Sequence, residues 1–461
     1  MSIKSTLSGF PEWLPEDRIV EQNIIKTIQD KFELYGFAPV ETRSVEPLDV
    51  ILSKGETDKE IYTLRRLQAT EDEGNKGIGL HFDLTVPFAR YVIENRNALS
   101  FPFRRYQIQK AWRGERPGMG RFREFLQADI DIVDTRDLTI HSDIEIVQIM
   151  DDILSSLPIP KTQLHVNNRK LLEGFYRALG IENTTEVLRI VDKMDKIGTE
   201  KVRLFLIEDL SIDAQTAEKC LSLGTIRTSD PKELRKSVEA LGMEHPLLEE
   251  GITELCAVLE KAPATETSNI LADLSIARGF DYYTGTVCEV KFLDFPKYPT
   301  IAAGGRYDNL VSDGKTILPG MGMSIGITRI LGVVLHEGLL ESSRKVPSVV
   351  MIALVSEESR DRSEKIARTL RSRGIPCEIF PHALKYGQQI GYADKKGIPF
   401  IWFPTESGEG HGEVRDLRTR DQFAADPESW TPPEEDLKIQ IVWNQEKMDL
   451  LLKNKNYVDQ A

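Results

Sequence analysis

Apolar positions 25, 28, 32 and 35 recur at helical spacing. They predict a helix from about Asp17 to Tyr35, with Ile25, Ile28, Phe32 and Tyr35 as its buried stripe. Gly36 then turns the chain into the extended segment "FAPVETRSVEPLDVI". Residues 80 to 86, "LHFDLTV", alternate and read as a strand. Leu80, Phe82, Leu84 and Val86 share one face, His81, Asp83 and Thr85 the other, and Pro87 suits the first turn of a following helix. "RRYQIQKAWR" and "RFREFLQADIDIV" read as two strands joined by "GERPGMG". In the second, Leu126, Ala128, Ile130 and Ile132 face one way, and Phe125, Gln127, Asp129 and Asp131 the other.

Residues from about 170 to 270 keep a helical period without sustained strand alternation, as in "VLRIVDKMDKIGTEKVRLFL" and "LEEGITELCAVLEKA", and read as an inserted helical subdomain. Strand-like, glycine-rich sequence returns after Asp273. "LHEGLLESSRKVPSVVMIALV" marks a boundary near residue 345. Beyond it "VVMIALV", "SRDRSEKIARTLRSRG", "CEIF", "LKYGQQIGYADKKG" and "PFIWF" alternate β, α, β, α, β, the pattern of a small parallel-sheet domain. A polar tail follows from about Ala424, with one strand-like island, "KIQIVW".

The 461 residues are 40% hydrophobic and 29% charged, an ordinary globular composition with room for two or three domains. A formal net charge of −14 argues against nonspecific coating of nucleic acid or membrane, though not against a local basic groove. No apolar run approaches a membrane span, and the N-terminal sequence has neither an apolar signal core nor an Arg-rich amphipathic pattern. These features predict a cytoplasmic protein. Cys220, Cys256, Cys288 and Cys377 lie far apart and the seven histidines are dispersed, so no metal site built by the protein is expected.

Against that acidic background, Arg113, Arg116, Arg121 and Arg123 gather at the tip of the hairpin. Arg121 and Arg123 share the parity of Gln127, Asp129 and Asp131. Arg113 joins that face if pairing continues across the turn. The face is then cationic at its tip and acidic deeper in, the polarity required by a zwitterionic amino acid joined to a phosphate. A solvated hairpin whose arginines pair with Glu115 and Glu124 is the alternative. Buried unpaired acids weigh against it.

Three other strings stand out. "SIARGFDYYTGTVCEV" (275–290) places an arginine before a glycine and two tyrosines, although paired tyrosines alone also read as a core strand. In "AAGGRYDNL" (302–310), Gly304 and Gly305 predict a tight turn below a pocket. In "GMGMSIGITRILGVVLHEGL", Ile327, Ile330, Leu331, Val334 and Leu335 form a helix stripe, with Arg329 in the first turn. A cation there opposes the helix dipole, which an anionic ligand would offset; an arginine reaching solvent is the alternative.

"RGERPGMGRFREFLQADIDIV" resembles motif 2 of the class II aminoacyl-tRNA synthetases. The Arg-Phe-Arg-Glu-Phe run and the Gln-x-x-x-Asp ending are similar to its histidine-specific branch. "ARGFDYY" and "AAGGRYDNL" resemble the two signatures of that branch, with Phe280 where leucine is usual. "GMGMSIGITRIL" resembles motif 3, and the first helix with "VEPLDVI" resembles motif 1. Asp83 and Asp131 stand where many bacterial members carry glutamate; eukaryote-like members share the aspartates.

The resemblance implies an α+β catalytic domain over residues 1–344, built on a mixed, mainly antiparallel sheet with the helical insertion. It further implies a C-terminal α/β anticodon-binding domain at 345–423, and a tail at 424–461 without an assigned role. It implies ATP-dependent activation of L-histidine to histidyl-adenylate and transfer to the 3′ end of histidine tRNA. Arg113 and Arg278 would be catalytic. Asp83, Thr85, Gln127, Asp131, Tyr282 and Tyr283, with the same two arginines, would bind histidine. ATP would be held by Arg113, Glu115, Arg121 and Arg329, with Phe125 stacked on adenine. Pro47 would lie at a homodimer interface, and Mg²⁺ would arrive with ATP. The helix at 359–373 carries six basic and two acidic residues (6 − 2 = +4), local positive charge for tRNA phosphates. The alternative is a non-catalytic, synthetase-like regulatory paralogue of histidine biosynthesis.

Overall fold

The computed structural model describes residues 7–52, 60–68, 77–261, 270–276, 282–405 and 412–458. The chain divides into two compact units, Met1–Pro11 with Ile24–Val334, and Glu12–Asn23 with Leu335–Ala461.

The first unit is organised by one sheet of nine strands among the described residues. They are β1 (Ala38–Pro39), β2 (Phe103–Trp112), β3 (Glu124–Val133), β4 (Thr162–Asn168), β5 (Arg227–Thr228), β6 (Ile270–Asp273), β7 (Thr286–Phe292), β8 (Ala302–Ser312) and β9 (Ile317–Gly326). In space they run β1-β2-β3-β9-β8-β7-β4-β6-β5. Only β1/β2 and β4/β6 pair in parallel, so the sheet is mixed and mainly antiparallel, as expected. Helices Ile140–Ser156 and Ile327–Val334 pack on it, and Ala128, Ile130 and Ile132 are buried.

The segment between β4 and β6 is helical among the described residues, apart from β5. Its helices begin where side chains can take up free backbone N–H groups: Asn168 caps Arg169–Ala178, Asp213 caps Ala214–Gly224, and Asp230 caps Pro231–Glu239. Its first and last helices, Arg169–Ala178 and Pro246–Lys261, cross at two glycines. A Cβ on Gly174 would come within 2.7 Å of Leu248 Cα, and one on Gly251 within 2.7 Å of Leu171 Cα. Because β4 and β6 are parallel neighbours, this long excursion is a crossover, leaving after Asn168 and re-entering at Ile270 beside Leu164.

Three local expectations are corrected. The first helix is Pro15–Leu34, and its buried stripe is Val20, Ile24, Ile28 and Phe32, with Ile25 and Tyr35 only half-buried. Residues 80–86 are not a strand. Strand Ile78–Leu80 stops there, and helix Thr85–Asn95 begins with Pro87 in its first turn. The Asp83 carboxylate accepts the Val86 N–H at 3.1 Å, so capping outweighs alternation. Gly304 and Gly305 lie inside β8 rather than in a turn. A Cβ at Gly304 would sit 2.5 Å from Met323 Cα, and one at Gly305 2.5 Å from Thr286 O, so the glycines allow close strand approach.

In the second unit, strands Cys377–Ile379, Val350–Ile352 and Phe400–Pro404 are parallel neighbours, and Gly412–Asp416 and Gln422–Ala425 extend the sheet antiparallel. The β-α-β-α-β reading holds, with helices Arg360–Ser372 and Tyr386–Lys396 between the parallel strands. The described part of the tail, to residue 458, is structured. Trp430 packs edge-on against Phe400 and Trp402, and Ile441–Trp443 pairs with Leu340–Ser342.

Candidate active site

The β2–β3 register places Arg105 opposite Asp131, Gln107 opposite Asp129, Gln109 opposite Gln127 and Ala111 opposite Phe125. On the other side of β3, Gly322 faces Asp131, Ser324 faces Asp129 and Gly326 faces Gln127. Directly paired residues share a sheet face. Polar side chains therefore border a floor of Gly322, Ser324, Gly326, Ala303 and Gly305. Small residues there leave room above the sheet, and a cavity of about 150 Å³ opens on it. Its walls include Asp83, Thr85, Arg113, Glu115, Phe125, Gln127, Tyr282, Tyr283 and Arg329. A deeper cavity of about 30 Å³ shares Thr85, Tyr282, Tyr283, Ala303 and Ser324 with it, and reaches Asp129, Asp131 and Tyr307.

The cations at the wide end are held by backbone. Arg113 donates from Nε to Phe82 O at 3.0 Å, and its guanidinium lies 5.1 Å from the centre of the Phe125 ring. Arg329, the third residue of helix Ile327–Val334, donates from Nε to Gly120 O at 2.9 Å and from Nη1 to Thr300 O. It ties the start of that helix to the hairpin tip, rather than extending into solvent. Arg121 is exposed, with Nη1 3.8 Å from Glu115 Oε2. It lines a different cavity, of about 680 Å³, with His165, Arg227, Lys291 and Lys297.

At the deep end, burial dominates the acids. It pushes Asp83 up to about 6, against the Val86 N–H and the charge of Arg113. It pushes Asp131 up to about 7, opposed by Arg105 and the Tyr307 hydroxyl, and raises Asp129 as well. Arg105 is fully buried. Its Nη2 lies 2.6 Å from Asp131 Oδ2, and its guanidinium is 4.1 Å from the centre of the Phe88 ring. Tyr307 donates its hydroxyl to Asp131 Oδ1 at 2.6 Å. Gln127 donates from Nε2 to Ser324 Oγ at 2.6 Å. The rings of Tyr282 and Tyr283 meet edge to face at 4.8 Å, and burial raises both phenols.

One face thus gathers Asp83, Thr85, Arg113, Glu115, Phe125, Gln127, Asp131, Tyr282, Tyr283 and Arg329, while Arg121 stands at the rim of another cavity. Arg278 lies outside the described residues. Pro47 ends strand Val45–Pro47 of a separate three-stranded sheet and lines neither cavity. Sequence reasoning missed Arg105 and Tyr307, and read Asp129 only as a face residue. Continuing the hairpin pairing eight residues back from Arg113 would have put Arg105 opposite Asp131. Among the described residues, no three His, Cys, Asp or Glu side chains gather as a metal site.

The basic helix spends much of its charge internally. Arg362 donates to Thr405 O, Arg371 to Cys377 O at 3.0 Å, and Arg373 to the carbonyls of Pro427, Ser429 and Trp430. Arg360 pairs with Glu357 at 2.7 Å. Lys365 and Arg368 are exposed.

Residues 9–330 match the family model described as histidyl-tRNA synthetase, and residues 349–430 match an anticodon binding domain. The chain is 49% identical over 449 residues to the histidine–tRNA ligase of Cutibacterium acnes, covering 95% of this chain and 98% of that one. It is 50% identical over 427 residues to that of Thermobifida fusca (92% and 97%). The crystal structure of histidyl-tRNA synthetase from Nostoc sp. PCC 7120 superposes with a TM-score of 0.81 at 31% identity (92% and 96%). A Bacillus halodurans protein described as an ATP phosphoribosyltransferase regulatory subunit/histidyl-tRNA synthetase shares the fold, with a TM-score of 0.70 at 18% identity (85% and 96%).

Proposed function

Because the chain belongs to the histidyl-tRNA synthetase family, we propose that the paired cavities on the β3–β9–β8 face are where it joins histidine to ATP. The protein is a histidine–tRNA ligase: it activates L-histidine with ATP as histidyl-adenylate and transfers the histidyl group to histidine tRNA. The regulatory alternative is not favoured, since relatives at 45–50% identity over most of the chain are ligases. The observation that carries the site is the convergence of Arg113 and Arg329, from β2's end and a helix start, on one cavity that deepens onto carboxylates.

Activation is attack of the histidine carboxylate on the α-phosphorus of ATP, with pyrophosphate leaving. Two anions approach, so fixed guanidinium groups lower the barrier by stabilising charge on the phosphoryl oxygens. We assign Arg113 to that α-phosphate and to the histidine carboxylate. Arg278 joins it by its match to the family signature. Arg329 takes the outer phosphates, Phe125 stacks on adenine, and Glu115 with Arg121 holds the nucleotide's outer edge. Asp83, Thr85 and Gln127 receive the substrate ammonium group. The imidazole enters the deeper cavity beside Asp131, Tyr282 and Tyr283. A site that hydrogen-bonds its substrate rejects analogues lacking the group by roughly 10⁴–10⁵.

Mg²⁺ fits as an ion carried by ATP, since Glu115 is the carboxylate at the nucleotide end and no larger cluster gathers among the described residues. Bound there it would neutralise phosphate charge. The second unit would bind the tRNA through its anticodon-binding domain. Two chains would associate as a homodimer with Pro47 at the interface, and the enzyme would work in the cytoplasm without a membrane partner. No helix among the described residues is long and apolar enough to cross a membrane.

ATP–pyrophosphate exchange with each of the twenty amino acids tests the reading. Exchange with histidine alone is expected. Exchange with none, or with a different amino acid, would overturn it.

A further inference from the structure

We propose that Gly9 is a positioning residue for the nucleotide: its backbone carbonyl clasps the tip of the β2–β3 hairpin and so holds Arg113, Glu115 and Phe125 around the larger cavity. The inference rests on reading that cavity as the ATP site.

The tip forms one wall of the cavity, through Arg113, Glu115, Gly120, Phe122 and Phe125. The pairing of β2 with β3 ends at Trp112 and Glu124, and the Arg113 N–H then reaches Arg123 O at 2.9 Å. On the other edge of β3, β9 pairs as far as Gln127, and the Leu126 N–H goes to Thr328 Oγ1 at 2.7 Å. Nearer the tip, the Arg123 and Glu124 N–H groups both go to Gly9 O, at 2.7 and 3.1 Å. One carbonyl thus takes up two strand donors that β9 does not reach. Arg123 carries the hold across the hairpin. Its N–H meets Gly9 O, its own O accepts from Arg113, and its Nε donates to Glu115 O at 3.2 Å.

The clasp requires glycine. Gly9 lies in a turn closed by the Phe10 N–H on Leu7 O at 3.1 Å, and its φ of +85° is in the left-handed region. A Cβ there would sit 2.9 Å from both Arg123 Cγ and Pro117 Cγ. Any side chain either strains the turn or lifts the segment from the tip. The adjoining Phe10 ring meets Tyr62 edge-on at 6.1 Å, and Glu60 O accepts the Gly114 N–H at 2.7 Å, so the first arm of the tip is held as well.

The test measures Gly9→Ala in histidine-dependent ATP–pyrophosphate exchange and by amide hydrogen exchange. Gly180→Ala is the control. It has φ +80° and nothing within 4 Å of its Cβ, so it carries the left-handed strain alone, away from the tip. Weakening the two hydrogen bonds is expected to raise the ATP KM of Gly9→Ala about tenfold. The histidine KM should stay within about twofold, because the imidazole is assigned to the deeper cavity. Amides of residues 113–125 should exchange faster, and those of 126–133 at the wild-type rate. Gly180→Ala should leave both KM values unchanged. Equal rises in the two KM values of Gly9→Ala, or an ATP KM within about twofold of wild type, would overturn the proposal. Should the wild-type protein give no histidine-dependent exchange, the reading of the cavity fails by itself; unaltered tip amides in Gly9→Ala would sink the clasp by itself. If Gly9→Ala does not fold, Gly9→Asn takes the same measurements with the same outcomes, since asparagine tolerates the left-handed region but brings the same crowding Cβ.

Discussion

Gly322→Ala tests the packing that shapes the deep end of the site. Gly322 pairs directly with Asp131 across β9 and β3. A Cβ built there collides first with Asp131 Oδ1, and lies 2.7 Å from Asp131 Cγ and 2.6 Å from Ile130 O. Relieving the contact with the Ile130 carbonyl to 3.4 Å requires the strands to part by about 0.8 Å (3.4 − 2.6). Ladder bonds of about 2.9 Å would stretch to about 3.7 Å and cease to be hydrogen bonds. Two such bonds at about 1 kcal/mol each, plus about 1–3 kcal/mol of overpacking, outweigh the roughly 0.4–1 kcal/mol that alanine gains by restricting the unfolded chain. The net loss is about 2–5 kcal/mol, a fall of several degrees in the melting temperature. Displaced Asp131 also loses its hold on Arg105 and Tyr307, so the histidine KM should rise roughly tenfold. Gly118→Ala is the control, because nothing lies within 4 Å of its Cβ. Thermal melting and pyrophosphate exchange, run on both variants, decide the matter. A Gly322→Ala protein that melts with wild type and keeps its histidine KM would refute the reasoning.

Arg329→Ala should raise the ATP KM about 10- to 100-fold with the histidine KM unchanged, because a charged contact to phosphate is lost. A shift confined to histidine would contradict the phosphate assignment. Asp83 titrates near 6 in the fold, above its ordinary 3.8, because burial favours the neutral acid. Its contribution to stability is therefore full below the unfolded value and is lost as pH rises through about 6, whereas its contact with the substrate ammonium needs the carboxylate. Histidine KM should climb as pH falls below about 6, and Asp83→Asn should flatten that part of the profile; an unchanged profile in the variant would remove Asp83 from the role.

The legible parts of the molecule were those set by local period or by unbroken strings. Strand β3 was readable because apolar and polar residues alternate from Leu126 to Ile132, and the C-terminal unit because its parallel strands alternate with helices of clear period. The segment at 80–86 misled because its alternation imitates a strand, while the decisive bond, Val86 N–H to Asp83, makes it a helix start. Gly304 and Gly305 misled because a missing side chain serves a turn and a crowded sheet alike. Arg105 and Tyr307 were hidden for a different reason. An arginine in a strand looks solvent-facing until Phe88 and Asp131 close round it, and those partners come from separate parts of the chain. The arginines around helix Arg360–Ser372 were read by charge alone, though Arg360, Arg362, Arg371 and the adjoining Arg373 fasten backbone carbonyls.

Strands β4 and β6 are parallel neighbours, so the helical excursion between them is a crossover that leaves the sheet after Asn168 and re-enters at Ile270, beside Leu164. The two helices locked at Gly174 and Gly251 act as the stem of that excursion. Apart from β5, which pairs with β6 at the edge of the sheet, the helices beyond the stem can be trimmed, enlarged or exchanged during evolution without disturbing strand order, so this branch of the molecule is free to diversify while the β3–β9–β8 face stays fixed.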